Sequence, residues 1–207
     1  LSSIVGFSQK NKKPEQFGSI SQVELSGAAV FNRDKMVGWL SPINARGLLF
    51  FIEKVDSATM VLPCLKTPED SNKKVSLELK KQKFRVTPFY RNGKPEFDIK
   101  LTTNADLVES SCSLSLEKMQ NHLETALKKE LENEIKDVIS LSQKKYKIDF
   151  LKLGEVFENR YPGEWKKIKR RWKQEYPQAH VNIHVTANVN NPVLLKLPTG
   201  SAKDGGK

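Results

Sequence analysis

The densest set of side chains able to do chemistry lies between Tyr161 and Tyr176, in the stretch YPGEWKKIKRRWKQEY. On a helix, Trp165, Ile168 and Trp172 share one face, while Lys166, Lys169, Arg170 and Lys173 take the other and Lys167 and Arg171 flank it. A basic amphipathic helix of this kind can touch phosphate, from lipid or from nucleic acid. The competing reading is a core helix with its aromatic stripe turned inward and its charges solvated, and it is the default because aromatic stripes usually fill cores. Lys166, Lys169, Arg170 and Lys173 are therefore a candidate interaction surface. Trp165 and Trp172, with Trp39 of Gly38-Trp39-Leu40, are candidate fold determinants, since a Trp beside a Gly in a strand favours close packing over a ligand platform.

No other pattern suggests catalysis. There is no GxGxxG, GxxxxGK[ST], GxSxG or HExxH. The three histidines, His122, His180 and His184, are scattered, and the even spacing of His180 and His184 puts both on one strand face with Asn182 between them. Acidic residues cluster in the longest helical stretch as solvent-facing partners of Lys. Cys64 and Cys112 sit in no CxxC pair and near no His at metal-ligand spacing. The first reading of each is a free, buried thiol, and the second is a mutual bridge. No catalytic, cofactor-binding or metal-ligating residue is assigned.

The bulk numbers bound the partners. Thirty-five Lys and Arg against 24 Asp and Glu give a net charge of +11, which favours acidic partners without choosing among nucleic acid, anionic lipid and an acidic protein face. With 207 residues, 38% hydrophobic and 29% charged, the chain suits a soluble globular protein of one large or two small domains. No window approaches the roughly 18 uninterrupted apolar residues of a membrane span. Leu1 to Phe7 lacks the features of a signal peptide, and the absence of an initial Met suggests a processed product or a fragment.

The elements that must position these residues follow from periodicity. Residues 1–20 read as a polar arm left from a preceding domain, with 8–20 (SQKNKKPEQFGSI) as its linker-like part. Two β-like runs follow, Val23 to Phe31 and Met36 to Leu40, around Asn32-Arg33-Asp34-Lys35. Asn44-Ala45-Arg46-Gly47 punctuates before the apolar run Leu48 to Ile52, either a short helix or a buried strand. Met60 to Leu65 reads as a strand, and 67–74 (TPEDSNKK) as a loop or sub-boundary. Strong alternation from Val75 to Phe89 and from Phe97 to Val108, with Asn92-Gly93 between, predicts a long antiparallel hairpin. Ser115 can cap a helix over Lys118 to Tyr146, whose Met119, Leu123, Leu127, Leu131 and Ile135 form one stripe. Short helices around Phe150 to Phe157 and Glu164 to Glu175 precede a final strand, His180 to Asn190, and a tail, 191–207. The fold class expected is α+β: a largely antiparallel sheet with one long helix and two short helices packed on it, in a single domain over 21–190.

Four stretches in this order resemble the Ger(x)C family, the C-subunit lipoproteins of nutrient receptors in endospore-forming bacteria. They are Leu25 to Leu40 (LSGAAVFNRDKMVGWL), Phe97 to Glu109 (FDIKLTTNADLVE), Gln143 to Leu153 (QKKYKIDFLKL) and Tyr161 to Trp172 (YPGEWKKIKRRW). The resemblance covers about residues 20–190. It implies a non-catalytic receptor component that works beside integral-membrane subunits, held by a lipid on an N-terminal Cys at the outer face of the spore inner membrane. Neither Cys64 nor Cys112 can carry that lipid, so attachment is expected of a longer parent and this chain is expected to be soluble. An anionic membrane surface is a further expected partner; nucleic acid and metal are not. The resemblance assigns no site residues. A basic nucleic-acid-binding domain and a domain that itself binds a small nutrient molecule are the alternatives.

Overall fold

Arg33 and Asp34 make a tight turn, and Arg33 takes the left-handed conformation there (φ 58°). The computed structural model describes residues 5–11, 23–52, 58–65, 67 and 69–190, with side chains from Gly27 onward. β1 (Val5–Asn11), β2 (Val23–Asn32) and β3 (Lys35–Leu40) form a three-stranded sheet in that order, β2 pairing antiparallel with both neighbours. Residues 5–11 are thus a strand rather than part of a loose arm. Among the described residues β1 pairs with β2 alone, and a polar sequence is common in edge strands. Residues 12–20 and the tail 191–207 lie outside the described residues.

The ambiguous run before β4 is helical, and its helix begins earlier than the punctuation suggested. α1 spans Pro42–Ile52 and contains Asn44-Ala45-Arg46-Gly47. Ser41 opens it: its hydroxyl accepts from Asn44 N at 3.3 Å and its carbonyl from Ala45 N at 2.8 Å, with Pro42 in the first helical position. Gly47 sits mid-helix for a packing reason, since a Cβ there would lie 2.7 Å from the Glu134 carbonyl oxygen.

A second sheet has the order β4 (Ala58–Pro63), β5 (Lys74–Arg91), β6 (Lys94–Ser110) and β7 (His180–Asn190). β4 pairs antiparallel with β5, Met60 opposite Leu77. Asn92 and Gly93, both at positive φ (51° and 75°), form the two-residue turn between β5 and β6, as the sequence predicts. β7 runs the other way. Asn182 donates to Asp98 at 2.8 Å and Asn188 to Asn104 at 3.1 Å, and this constant offset makes β7 parallel to β6. A parallel neighbour needs a crossover, and the helices supply it. The fold is α+β with a mostly antiparallel sheet.

The long helix α2 (Leu116–Ser140) continues as a π-helical turn over Leu141–Tyr146. α3 (Leu153–Arg160) and α4 (Pro162–Ile168) come next. The helix expected over Glu164 to Glu175 breaks after Ile168 into a 3-10 turn (Lys169–Arg171), the four-residue α5 (Trp172–Glu175) and another 3-10 turn (Tyr176–Gln178).

The chain divides into two compact units. The first comprises 1–55, 84–101 and 130–185, the second 56–83, 102–129 and 186–207, so that β5, β6, α2 and β7 each contribute to both. The first unit buries Val30, Leu40, Leu48, Phe97, Ile135 and Phe157. Within it, Arg46 grips Glu134 through Nε to Oε2 at 3.0 Å and through Nη2 to Oε1. Glu134 is only 1% exposed, so it is not the solvent-facing helix acid the sequence suggests. Burial pushes its carboxyl above the ordinary range against the pull of Arg46.

The second unit buries Met60, Leu77, Leu79, Met119, Leu123 and Val189. A Cys64–Cys112 disulfide closes it, with Cα atoms 5.7 Å apart, and this corrects the reading of two free thiols. Strand pairing brings the residues together. Cys64 N bonds to Lys73 O and Ser111 N to Lys74 O, both at 3.1 Å, so the ends of β4 and β6 meet at the start of β5. The stretch 67–74, expected as a loop or sub-boundary, lies inside this unit. Its Asp70 is buried and accepts from Ser113 N at 3.0 Å, Ser113 Oγ at 2.8 Å and Lys73 Nζ at 3.1 Å.

Candidate functional site

Trp165 and Trp172, seven positions apart, point inward together with ring centroids 5.1 Å apart, 7% and 3% exposed. Both pack on Phe157 of α3, at 6.3 and 6.2 Å, and Tyr176 extends the row 5.7 Å beyond Trp172. Phe157 also meets Tyr90 and Phe97, at 5.8 and 6.4 Å. The aromatic stripe fills the core of the first unit, and the break after Ile168 re-aims the side chains beyond it.

One carboxylate ties this row to the loop before α3. Asp149 accepts from Leu153 N at 2.9 Å, Gly154 N at 2.6 Å and Trp172 Nε1 at 3.0 Å. It thereby caps a helix whose own N-cap residue, Lys152, offers no side-chain acceptor. Burial pushes the Asp149 carboxyl up, against these three donors. Gly154 is required here, because a Cβ would lie 2.9 Å from Trp172 Nε1 and 3.0 Å from Asp149 Oδ2. Tyr176 donates to or accepts from Ser142, and its phenol is raised well above its ordinary value by burial and then by Asp149.

Above this floor opens a cavity of about 1240 Å³. Four segments of the first unit line it: the β2–β3 turn with Arg33 and Lys35, the loop from Lys147 to Lys152, α3 with Glu155 and Glu158, and the broken helix with Lys169, Arg170 and Lys173. Seven cations thus face four carboxylates, of Asp34, Asp149, Glu155 and Glu158. Asp149 is already committed inside the fold, and Lys152 is 3.9 Å from Glu155. Among the described residues, the other six cations have no ion-pair partner. Among the described residues the cavity wall carries no His, Cys or Ser.

Three of those cations hold an unusual backbone. Arg33, Lys147 and Lys152 adopt φ of 58°, 53° and 60°, a region that costs a side-chain-bearing residue about 1–2 kcal/mol. Asn or Gly would take these positions with less strain. A long basic side chain stands at all three.

Of the candidate surface read from sequence, Lys169, Arg170 and Lys173 line the cavity, whereas Lys166 is exposed outside it. The 3-10 turn rotates the face after Ile168, so one straight-helix face does not survive. Trp39 is 38% exposed. Its indole lies over Gly27, where a Cβ would be 2.7 Å from Nε1, and its carbonyl accepts from Tyr146 Oη at 3.2 Å. Gly38 presses on the same Tyr146 ring, 2.3 Å from where its Cβ would be. His180 and His184 are exposed on β7, His180 bonded to Asn182 at 2.9 Å. Among the described residues no group of three or more His, Cys, Asp or Glu could hold a metal, and no helix is long and apolar enough to cross a membrane. Periodicity missed Arg33, Lys35, Lys147 and Lys152; the one local sign was an Asp a turn ahead of a helix start.

Residues 26–192 match the family described as "Spore germination B3/GerAC like, C-terminal". The chain belongs to that family. It is similar to spore germination protein KC of Bacillus subtilis (strain 168), 29% identical over 197 residues, which cover 93% of this chain and 47% of the relative. Spore germination protein B3 of the same organism is 26% identical over 175 residues, 82% of this chain and 45% of that one. The chain therefore spans about half the length of the curated relatives it matches. The crystal structure of the GerBC protein shares the fold with a TM-score of 0.73 at 25% identity, over 91% of this chain and 57% of that one. The four stretches that suggested a Ger(x)C protein all lie in the GerAC-like region, apart from Leu25 at its edge.

Proposed function

We propose that this chain is the C-terminal part of a non-catalytic C subunit of a spore nutrient germinant receptor, and that it acts by docking on the receptor's integral-membrane subunits. The observation that carries this reading is the family match over residues 26–192, in a family whose relatives are named for spore germination. The site favours binding over turnover. Its cavity has a tightly packed aromatic floor and a wall in which cations outnumber carboxylates, and Asp149 is consumed in holding α3 and Trp172. The Cys64–Cys112 bridge supports an oxidising location, as at the outer face of the spore inner membrane, where a lipid on the longer parent would hold it.

The test is capture from detergent extracts of spore inner membrane with this chain as bait. Recovery of the integral-membrane receptor subunits by mass spectrometry is the expected result. Recovery of nucleic acid alone would return the assignment to a basic nucleic-acid-binding domain.

A further inference from the structure

The cavity of the first unit concentrates positive charge in a way that core packing does not demand. Six cations from three separated segments border it without an ion-pair partner among the described residues: Arg33, Lys35, Lys147, Lys169, Arg170 and Lys173. With Glu155 beside Lys152 and Asp149 held by its own donors, these six cations stand against only Asp34 and Glu158 in the wall, and a concave site with such an excess of one sign focuses the field and draws the opposite charge. Strain points the same way. Of the five non-glycine residues at positive φ among the described residues, three are cavity cations, at positions where Asn or Gly would sit more easily.

The occupant can be narrowed by what the cavity lacks. Trp165, Trp172 and Tyr176 are 7%, 3% and 1% exposed, and among the described residues of the wall only Phe31 and Ile148 offer partly exposed apolar side chains, too little for a row of stacked bases or for acyl chains. At about 1240 Å³ the space exceeds the roughly 300–1,000 Å³ of ordinary small-molecule pockets and suits an extended chain. Lys and Arg on flexible stems can follow carboxylates spaced along such a chain. We propose that this basic cleft docks an acidic peptide segment of a receptor partner, an inference that rests on the docking reading above.

The decisive variant is Arg33→Asn/Lys147→Asn/Lys152→Asn, which removes charge while easing three left-handed backbones. The control is Lys83→Asn/Lys100→Asn/Lys118→Asn, equal in charge and exposed elsewhere. The probe is a fluorescein-labelled peptide of alternating glutamate and serine, followed by anisotropy at low salt. The cleft variant should lose about tenfold or more in affinity while its melting temperature stays level or rises; the control should bind almost as the parent does. An equal loss in both variants would reduce the effect to net charge and overturn the proposal. So would tighter binding, through the same three residues, of single-stranded DNA or of phosphatidylglycerol vesicles. In the spore-membrane capture, subunits retained by the cleft variant would reject the cleft and leave the docking reading intact. No capture even by the parent would reject the docking reading, and with it the receptor origin of the segment, whatever the peptide does.

Discussion

Gly47 and Gly163 are both helical glycines, and their surroundings give them opposite responses to a methyl group. A Cβ at Gly47 meets the Glu134 backbone carbonyl at 2.7 Å, and backbone cannot swing away as a flexible side chain can. Gly47→Ala should therefore destabilise the protein by about 1–3 kcal/mol in urea denaturation, although Ala is the better helix former. Gly163 has nothing within 4 Å of the added atom, so Gly163→Ala should be neutral or stabilising by up to about 1 kcal/mol. Similar costs at both sites would mean that the α1–Glu134 approach is looser than described. Asp70 makes a pH prediction. Burial opposes its charge, but hydrogen bonds from Ser113 and Lys73 outweigh that and hold its carboxyl below the ordinary range. A depressed folded value contributes stability above the unfolded value of about 3.9, and that contribution disappears as pH falls through the carboxylate range. The stability gap between the parent and Asp70→Asn should accordingly be open at neutral pH and close on acidification; a gap that is constant with pH would refute the role given to these bonds.

Among the elements, the β5–β6 turn and the disulfide set register by different means. Gly93 has φ 75° and open space around it, so the cost of Gly93→Ala should be backbone strain alone, about 1–2 kcal/mol with no change in the m-value. The disulfide joins positions 48 residues apart, and closing a loop of that size stabilises by about 4 kcal/mol in the chain-entropy picture. Cys64→Ser/Cys112→Ser should lose about 2–4 kcal/mol, read as a lower urea midpoint than the oxidised parent, and addition of a reductant should move the parent most of the way there. A variant as stable as the parent would show that the strand pairing around Lys73 and Lys74 holds these ends without the bridge. The broken helix 162–178 poses a question of the same size. Its aromatic row and its cations are both present, as the spacing predicts, but the 3-10 turns change which cations stand together.

Across the full chain, the three Trp residues all belong to the first unit and the disulfide to the second. β5, β6, α2 and β7 contribute to both units, and a strand or helix that loses half its packing rarely keeps the rest. Removing the bridge should therefore shift the Trp fluorescence transition as far as the far-ultraviolet ellipticity transition. Trp fluorescence unmoved while ellipticity shifts would show two units that unfold separately. Residue order alone was enough for the elements whose signal is local: the β5–β6 hairpin through alternation and Asn92-Gly93, α2 through its apolar stripe, and the inward face of Trp165 and Trp172. It also carried the family resemblance, which lies in the succession of short stretches along the chain. Features that depend on residues far apart in sequence emerged with the folded chain. The parallel direction of β7, the Cys64–Cys112 bridge, the Arg46–Glu134 pair and the gathering of Arg33, Lys147 and Lys169 around one cavity all come from how the chain returns on itself. Periodicity reports which face of an element turns inward; it carries no record of which distant element that face will meet.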